Sequence, residues 1–217
     1  MPSRAEKSAE LDQALYGFLE ELDAGRNLNI IGIDEVGRGS LCGPLTVAAV
    51  SLPLAPRIVG LNDSKKLSAK RRDELSEQIK QIAKAYSIID IEAQDIDRIG
   101  IAEAVFQGMT QALKAVTAQT RKPDIVLIDG RPLGIHANEQ AIVKGDGKVA
   151  SIAAASILAK THRDALMLGY SEEYPCYAWQ SNKGYGSAVH ITAIKEQGLS
   201  PLHRKSFCGG ILQETLF

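Results

Sequence analysis

The sequence predicts an α/β fold built on a sheet with mixed strand directions. Five short apolar runs read as strands, and segments with apolar residues at helical spacing separate most of them. Only a glycine-rich turn divides the first two strand-like runs. That leaves too little chain for a parallel crossover, so the two are antiparallel neighbours.

Leu11, Leu15, Phe18, Leu19 and Leu22 recur at helical spacing and predict an amphipathic helix over residues 5–24, ended by Gly25. Residues 27–36 form a short apolar run with β-branched side chains, a buried strand punctuated by Gly37 and Gly39. After Gly43 and Pro44, residues 45–52 read as the second strand. Ser68 caps a helix to about residue 84, with Leu75, Ile79 and Ile82 as its buried stripe. Residues 86–91 are a third strand and 101–120 a long helix. Residues 125–128 make a fourth strand closed by Asp129 and Gly130, and residues 140–144 a short fifth. An Ala-rich helix over 151–168 and another over 188–197 follow, and the residues after Gly209 and Gly210 read as a short tail.

A chain of 217 residues fits one compact domain. Its net charge of −1 excludes a uniformly cationic nucleic-acid binder, yet the charge is unevenly spread. Residues 61–84 hold seven bases against four acids and residues 131–205 nine against six, while residues 1–27 hold six acids against three bases. A near-neutral chain with that distribution can still present a basic face. Cys42, Cys176 and Cys208 form no CxxC pair, which favours a reducing cytoplasm and no structural metal. The first residues lack the apolar core of a secretory signal, and no run is long enough for a membrane span.

Two strands share one design. Ile30-Ile31-Gly32-Ile33 and Ile125-Val126-Leu127-Ile128 each run into an aspartate, Asp34 and Asp129, at the carboxyl end where α/β sheets gather ligands. As sheet neighbours, spaced by roughly 4.8 Å, they would set two like charges side by side, which calls for a cation between them. Glu35 adds a third carboxylate and Asp146 a fourth. Oxygen donors without a Cys or His cluster point to Mg²⁺ or Mn²⁺ rather than zinc. A strand-end aspartate standing alone is more often a turn residue or a helix cap, so the repetition carries this reading. Gly37, Arg38 and Gly39 fail the P-loop pattern, which needs Lys and then Ser or Thr at 38 and 39. Two glycines flanking an arginine still suit close approach to a phosphate or ribose.

These segments together resemble the bacterial ribonuclease HII family. Asp34-Glu35-Val36-Gly37-Arg38-Gly39, Asp63-Ser64-Lys65-Lys66-Leu67, Ile128-Asp129-Gly130 and Val143-Lys144-Gly145-Asp146 carry the likeness in order. The run from Ser151 to Lys160, Arg163-Asp164, Lys183-Gly184-Tyr185-Gly186 and His203-Arg204-Lys205-Ser206-Phe207 continue it. The resemblance implies an RNase H-like fold, a mixed five-stranded sheet flanked by helices with a helical C-terminal extension. It divides the chain into an N-terminal helical extension (1–27), a catalytic domain (28–208) and a C-terminal tail (209–217). With only 27 residues ahead of that domain, type II is expected rather than ribonuclease HIII, which usually carries a separate N-terminal substrate-binding domain.

The implied activity is hydrolysis of the RNA strand of RNA–DNA hybrids and nicking of DNA duplexes 5′ to embedded ribonucleotides, giving 3′-hydroxyl and 5′-phosphate ends. Two Mn²⁺ or Mg²⁺ ions roughly 3.5–4 Å apart would act together. The resemblance assigns them to Asp34, Glu35, Asp129 and Asp146, and assigns the ribonucleotide to Gly37, Arg38, Gly39 and Tyr185. Lys65, Lys66, Lys144, Lys148, Lys183 and Arg204 are candidate phosphate contacts, and no histidine is given a catalytic role. Gln213, Leu216 and Phe217 match the Gln-x-x-Leu-Phe pattern of peptides that dock on the bacterial sliding clamp. A cytoplasmic monomer is expected. A DNA-specific nuclease of the same fold and a non-catalytic binding module are the competing readings.

Overall fold

The computed structural model describes residues 4–213. Helix α1 (Arg4–Asp23) precedes strands β1 (Ile30–Val36) and β2 (Leu45–Ser51); then come α2 (Ala69–Ile82), β3 (Ala85–Ile91), α3 (Ala93–Ile99) and α4 (Ile101–Thr117). Strands β4 (Ile125–Asp129) and β5 (Glu139–Ile142) lead into the long helix α5 (Ala150–Glu173), the short α6 (Trp179–Asn182), α7 (Ala188–Gln197) and α8 (Lys205–Gln213). The sheet order is β3-β2-β1-β4-β5. β2 runs antiparallel to both β1 and β3, while β4 is parallel to β1 and β5. This is the mixed five-stranded sheet that the sequence led us to expect.

Two apolar layers cover the sheet. On one face Leu15, Tyr16 and Leu19 of α1 join Leu75 and Ile79 of α2 and the alanine-rich start of α5. On the other, Met109, Leu113 and Val116 of α4 pack on Ile31, Ile33, Val126 and Ile128. The N-terminal helix is thus part of the main core. Gly32 sets how closely α5 lies on β1. A Cβ there would sit 2.3 Å from the Ser151 carbonyl carbon, so the helix rests on bare backbone.

Several boundaries differ from the sequence reading. β5 ends at Ile142 because Lys144 takes a left-handed backbone, φ 57°, which a strand cannot continue. α5 runs to Glu173, beyond the expected 168, and α3 was not foreseen. α8 passes straight through Gly209 and Gly210, where a tail was expected to begin, because Phe207, Cys208 and Ile211 pack on a third cluster or the core. Tertiary burial there outweighs the low helix propensity of two glycines. The last residues, 214–217, lie outside the described part. No helix among the described residues is long and apolar enough to cross a membrane.

The third cluster holds the C-terminal helices together around Trp179, Tyr177, Met167 and Cys42. At its centre His190 and His203 are buried, and their ring nitrogens lie with Cys42 Sγ inside a 4.8 Å group that sequence spacing concealed. Hydrogen bonds account for these nitrogens without a metal. The Ser200 amide donates to His203 Nδ1 at 2.9 Å, so its proton sits on Nε2, which meets His190 Nε2 at 3.1 Å. Trp179 Nε1–H points at the same His190 nitrogen at 3.0 Å, and His190 Nδ1–H donates to the Tyr185 carbonyl at 2.9 Å. Both rings are therefore neutral.

Burial pushes the His203 pKa down to about 4, reinforced by His190, and lowers His190 in the same direction. The unfolded chain takes up those protons first. Their contribution to stability is full above pH 6.5 and is lost as pH falls toward 4, at about 1.4 kcal/mol per unit for His203. Urea midpoints of wild type and His203→Gln, measured from pH 7.5 to 4.5, should converge as pH falls, the variant being less stable at neutral pH. Parallel curves would refute the assignment.

Candidate active site

Side chains alternate along a strand, and β1 uses this to split its carboxylates. Ile31 and Ile33 face the α4 layer and Ile30 the α5 layer. One residue on, Asp34 faces α5 and Glu35 faces α4. Asp34 accordingly lines a cleft with Ser64, Lys65, Ser156, Lys160 and Tyr185. Glu35 and Asp129 border that cleft and also a groove on the α4 side with Arg38, Ala102 and Met109. Because Ile33 pairs with Ile128 in the parallel register, Asp34, two residues before the end of β1, and Asp129, the last residue of β4, follow side by side.

Asp129 also fixes the fourth carboxylate. Its Oδ1 accepts from the Gly145 amide at 2.6 Å, closing the turn Gly145–Gly147 that holds Asp146 at 7% exposure. Asp146 faces Asp63 as well as Asp129. All four carboxylates foreseen from the sequence therefore stand along one sheet edge, with Asp129 as the common neighbour.

The electrostatics are unfavourable for protein alone. Burial drives the Asp34 pKa well above the usual carboxylate range, and the charges of Glu35 and Asp129 add to this against the Ser156 hydroxyl. Glu35 is raised by burial and by Asp129, with Arg38, 3.7 Å away, acting against both. Asp146 is raised by burial and then by Asp63 and Asp129. The nearest cation on α5, Lys160, is engaged 2.7 Å away by Asp164, which also meets Arg72 at 3.4 Å. Arg38 beside Glu35 and Lys65 near Asp146 offset this only in part, since all three carboxylates stay raised, and such crowded hard oxygen donors fit a divalent cation of the Mg²⁺ or Mn²⁺ type.

The residues assigned to the ribonucleotide come to the same edge. Gly37 is buried at φ +87°, and a Cβ on it would meet Arg163 Nε at 2.3 Å, so no other residue fits. Arg38 and Gly39 are exposed, and among the described residues their amides meet no acceptor. Tyr185 is 36% exposed and its ring lies over the Arg163 guanidinium, 5.4 Å from its carbon. Gln213 falls at the end of α8, while Leu216 and Phe217 lie outside the described residues.

Most of the chain compares closely with one family. A family model described as Ribonuclease HII matches residues 31–209. The chain belongs to the ribonuclease HII family. It is 47% identical over 206 residues to the ribonuclease HII of Oceanobacillus iheyensis, covering 93% of this chain and 78% of that protein. The ribonuclease H2 of Pyrococcus horikoshii superposes with a TM-score of 0.73 at 24% identity, over 87% of this chain and 99% of the other. The ribonuclease HII in a complex with PCNA from Archaeoglobus fulgidus gives 0.69 at 26% identity, over 86% and 96%. Membership makes this chain a ribonuclease H, an enzyme class that hydrolyses RNA paired with DNA, and joins the fold above to a metal-dependent hydrolase family.

Sequence reasoning missed some of the surroundings and misplaced one residue. Asp63 and Ser64 were noted as part of a motif but given no role, and Ser156 was likewise unassigned. Each is polar and unremarkable in sequence, and only the packing of α5 brings Ser156 to Asp34 and, at 3.0 Å, to Ser64. Arg204, a candidate phosphate contact by its charge, is fully buried and bonded to backbone carbonyls, so it touches no phosphate. Lys65 does reach the cleft.

Asparagine at position 34 imitates the protonated aspartate while keeping the oxygen that accepts from the Glu35 amide at 2.8 Å. Because ionised Asp34 is disfavoured in the fold, Asp34→Asn should raise the melting temperature of metal-free protein at pH 8 by about 2–4 °C, equivalent to about 1 kcal/mol. The gain should fade as pH drops and wild-type Asp34 protonates. A lower melting temperature in chelator at pH 8 would contradict the charge assignment.

Proposed function

We propose that this ribonuclease H cuts the RNA strand of RNA–DNA hybrids and nicks DNA duplexes on the 5′ side of single embedded ribonucleotides, leaving 3′-hydroxyl and 5′-phosphate ends. The observation that carries the reading is one edge where Asp34 and Asp129, each one residue past the Ile33–Ile128 pair, line a cleft with Tyr185, while Arg38, whose amide and that of Gly39 are unpartnered among the described residues, borders Glu35 and Asp129.

Asp34, Glu35, Asp129 and Asp146 would hold Mn²⁺ or Mg²⁺. Two such ions, when bound, supply a nucleophilic water and charge stabilisation of the departing oxygen. The protein's own contributions are positional. The parallel register holds Asp34 and Asp129 side by side, and the bond from Gly145 to Asp129 keeps Asp146 in reach. The 2′-hydroxyl is both donor and acceptor and separates RNA from DNA at a single site. The Arg38 and Gly39 amides are positioned to donate to it, and the half-exposed Tyr185 ring to stack beside the sugar. A DNA-specific nuclease would have no use for this pairing. The four carboxylates in one place count against a mere binding module. One chain supplies every group, so a monomer suffices, and three free cysteines suit a cytoplasmic setting.

Cleavage of a duplex with one ribonucleotide should occur on its 5′ side in Mn²⁺ or Mg²⁺. An all-DNA duplex should stay intact. Chelator or Asp34→Asn should reduce the rate by at least about 10³-fold, a loss of about 4 kcal/mol in transition-state stabilisation. Equal cutting of the all-DNA duplex would refute the role given to Gly37, Arg38, Gly39 and Tyr185.

The Gln213, Leu216 and Phe217 pattern further supports docking on the polymerase sliding clamp, and a related archaeal ribonuclease HII has been captured with its PCNA. Deleting residues 213–217 should abolish binding to the bacterial clamp in calorimetry and leave cleavage of a short duplex unchanged. Undiminished clamp affinity would remove the proposal.

A further inference from the structure

Two arginines lie fully buried beneath the loop that carries Gly37, Arg38 and Gly39, and among the described residues neither forms an ion pair. A guanidinium taken out of water without a counter-charge costs several kcal/mol, so its hydrogen bonds must be unusually complete. Those bonds go almost wholly to backbone carbonyls. Arg163 donates through Nε to Pro44 at 2.8 Å, through Nη1 to Lys183 at 2.9 Å, and through Nη2 to Cys42 at 3.0 Å. Its Nη2 also donates to Ser40 Oγ at 2.8 Å, and Ser40 Oγ passes its own hydrogen to the Gly37 carbonyl at 2.9 Å. Arg204 grips the Gly43 carbonyl with Nε and Nη2 at 3.1 and 2.9 Å, and the Arg38 carbonyl with Nη1 at 3.1 Å.

The consequence follows from peptide geometry. In a trans peptide the C=O and the next N–H point in opposite directions. Turning the Gly37 carbonyl inward, through Ser40 to Arg163, turns the Arg38 amide outward. Turning the Arg38 carbonyl inward, to Arg204, turns the Gly39 amide outward. These are the two amides that meet no acceptor among the described residues. The same Arg163 guanidinium underlies the Tyr185 ring and holds the Lys183 carbonyl two residues before it.

We propose that Arg163 and Arg204 are positioning residues for ribonucleotide recognition. Together they aim the Arg38 and Gly39 amides at the substrate, and Arg163 sets the Tyr185 ring at the matching height. The inference rests on the ribonucleotide reading above and adds its structural cause. Neither arginine touches the substrate. Their buried positive charge also favours an acceptor oxygen in front of the amides they orient.

The test is the ratio of affinities for two duplexes that differ by one 2′-hydroxyl, read by fluorescence anisotropy for wild type, Ser40→Ala, Arg163→Lys and Arg204→Lys. Ser40→Ala removes the relay to Gly37 with the least change in volume, and the lysines keep the charge but lose the fork. Each variant should lower the preference for the ribonucleotide duplex about tenfold, the loss of one charge-assisted bond, and leave all-DNA affinity unchanged. A merely structural role would lower the melting temperature and both affinities together, leaving the ratio intact. An unchanged ratio in the folded variants would overturn the proposal, and Ser40→Ala decides it if a buried-arginine variant fails to fold. Failure of wild type to discriminate would instead sink the ribonucleotide reading itself.

Discussion

Where Ile33 lies opposite Ile128, two parallel apolar stretches lie side by side, and each runs on into an aspartate. Nearly everything at the site depends on that pairing. Parallel strands need a long connection, and here β2, α2, β3, α3 and α4 fill it before β4 returns beside β1. A one-residue slip of β1 would put Glu35 where Asp34 belongs and turn Asp34 into the α4 layer. The register is protected because Ile31, Ile33, Val126 and Ile128 are all buried on one face. The apolar core therefore determines where the charges stand, although it contains none of them.

The cost of that arrangement is visible in the carboxylates. Three of the four have pKa values raised by burial and by one another, because Arg38 and Lys65 offset only part of the charge while Lys160 and Arg72 are held by Asp164. A protein selected only for stability would pair or remove such charges. Their persistence is the usual mark of a site waiting for a ligand of opposite sign. The buried arginines show the converse imbalance a short distance away, positive charge without carboxylates, satisfied by backbone carbonyls and the Ser40 hydroxyl. Acid and base could have met and neutralised. Instead the fold keeps them in separate compartments, one bordering the cleft and the other beneath the loop.

How much could be read beforehand divides along the range of the forces involved. The strands and the aspartates that end them were legible because hydrophobic runs and their punctuation are local. So was the cap at Ser68, whose hydroxyl accepts from the Arg71 amide. Asp146 was harder, since its place depends on a turn held by Asp129 from a different strand. Arg204 was misread because a basic residue's prior is the surface, and only the long-range contact with Gly43 reverses it. His190 and His203 are 13 residues apart with no ligand-like spacing, and their pairing emerges only when α7 and the following turn fold onto Trp179. The helix through Gly209 and Gly210 was hidden for the same reason: burial of Cys208 overrides a local composition that reads as a tail.

Helix α5 joins the two halves of the site. Near its start the Ser151 backbone lies against Gly32, and Ser156 reaches Asp34. Two turns later Arg163 supports Ser40 and Tyr185, and Met167 closes over Gly43. From Ser156 to Arg163 the helix rises about 10 Å at roughly 1.5 Å per residue. The carboxylates and the ribonucleotide-reading loop are therefore set at a fixed offset along one rigid rod. Loops would have allowed that offset to drift. On the proposed reading, a nick always to the same side of a ribonucleotide requires such a constant separation between the group that is sensed and the bond that is cut. The bare backbone at Gly32 is what lets the rod lie close enough to β1 to hold it.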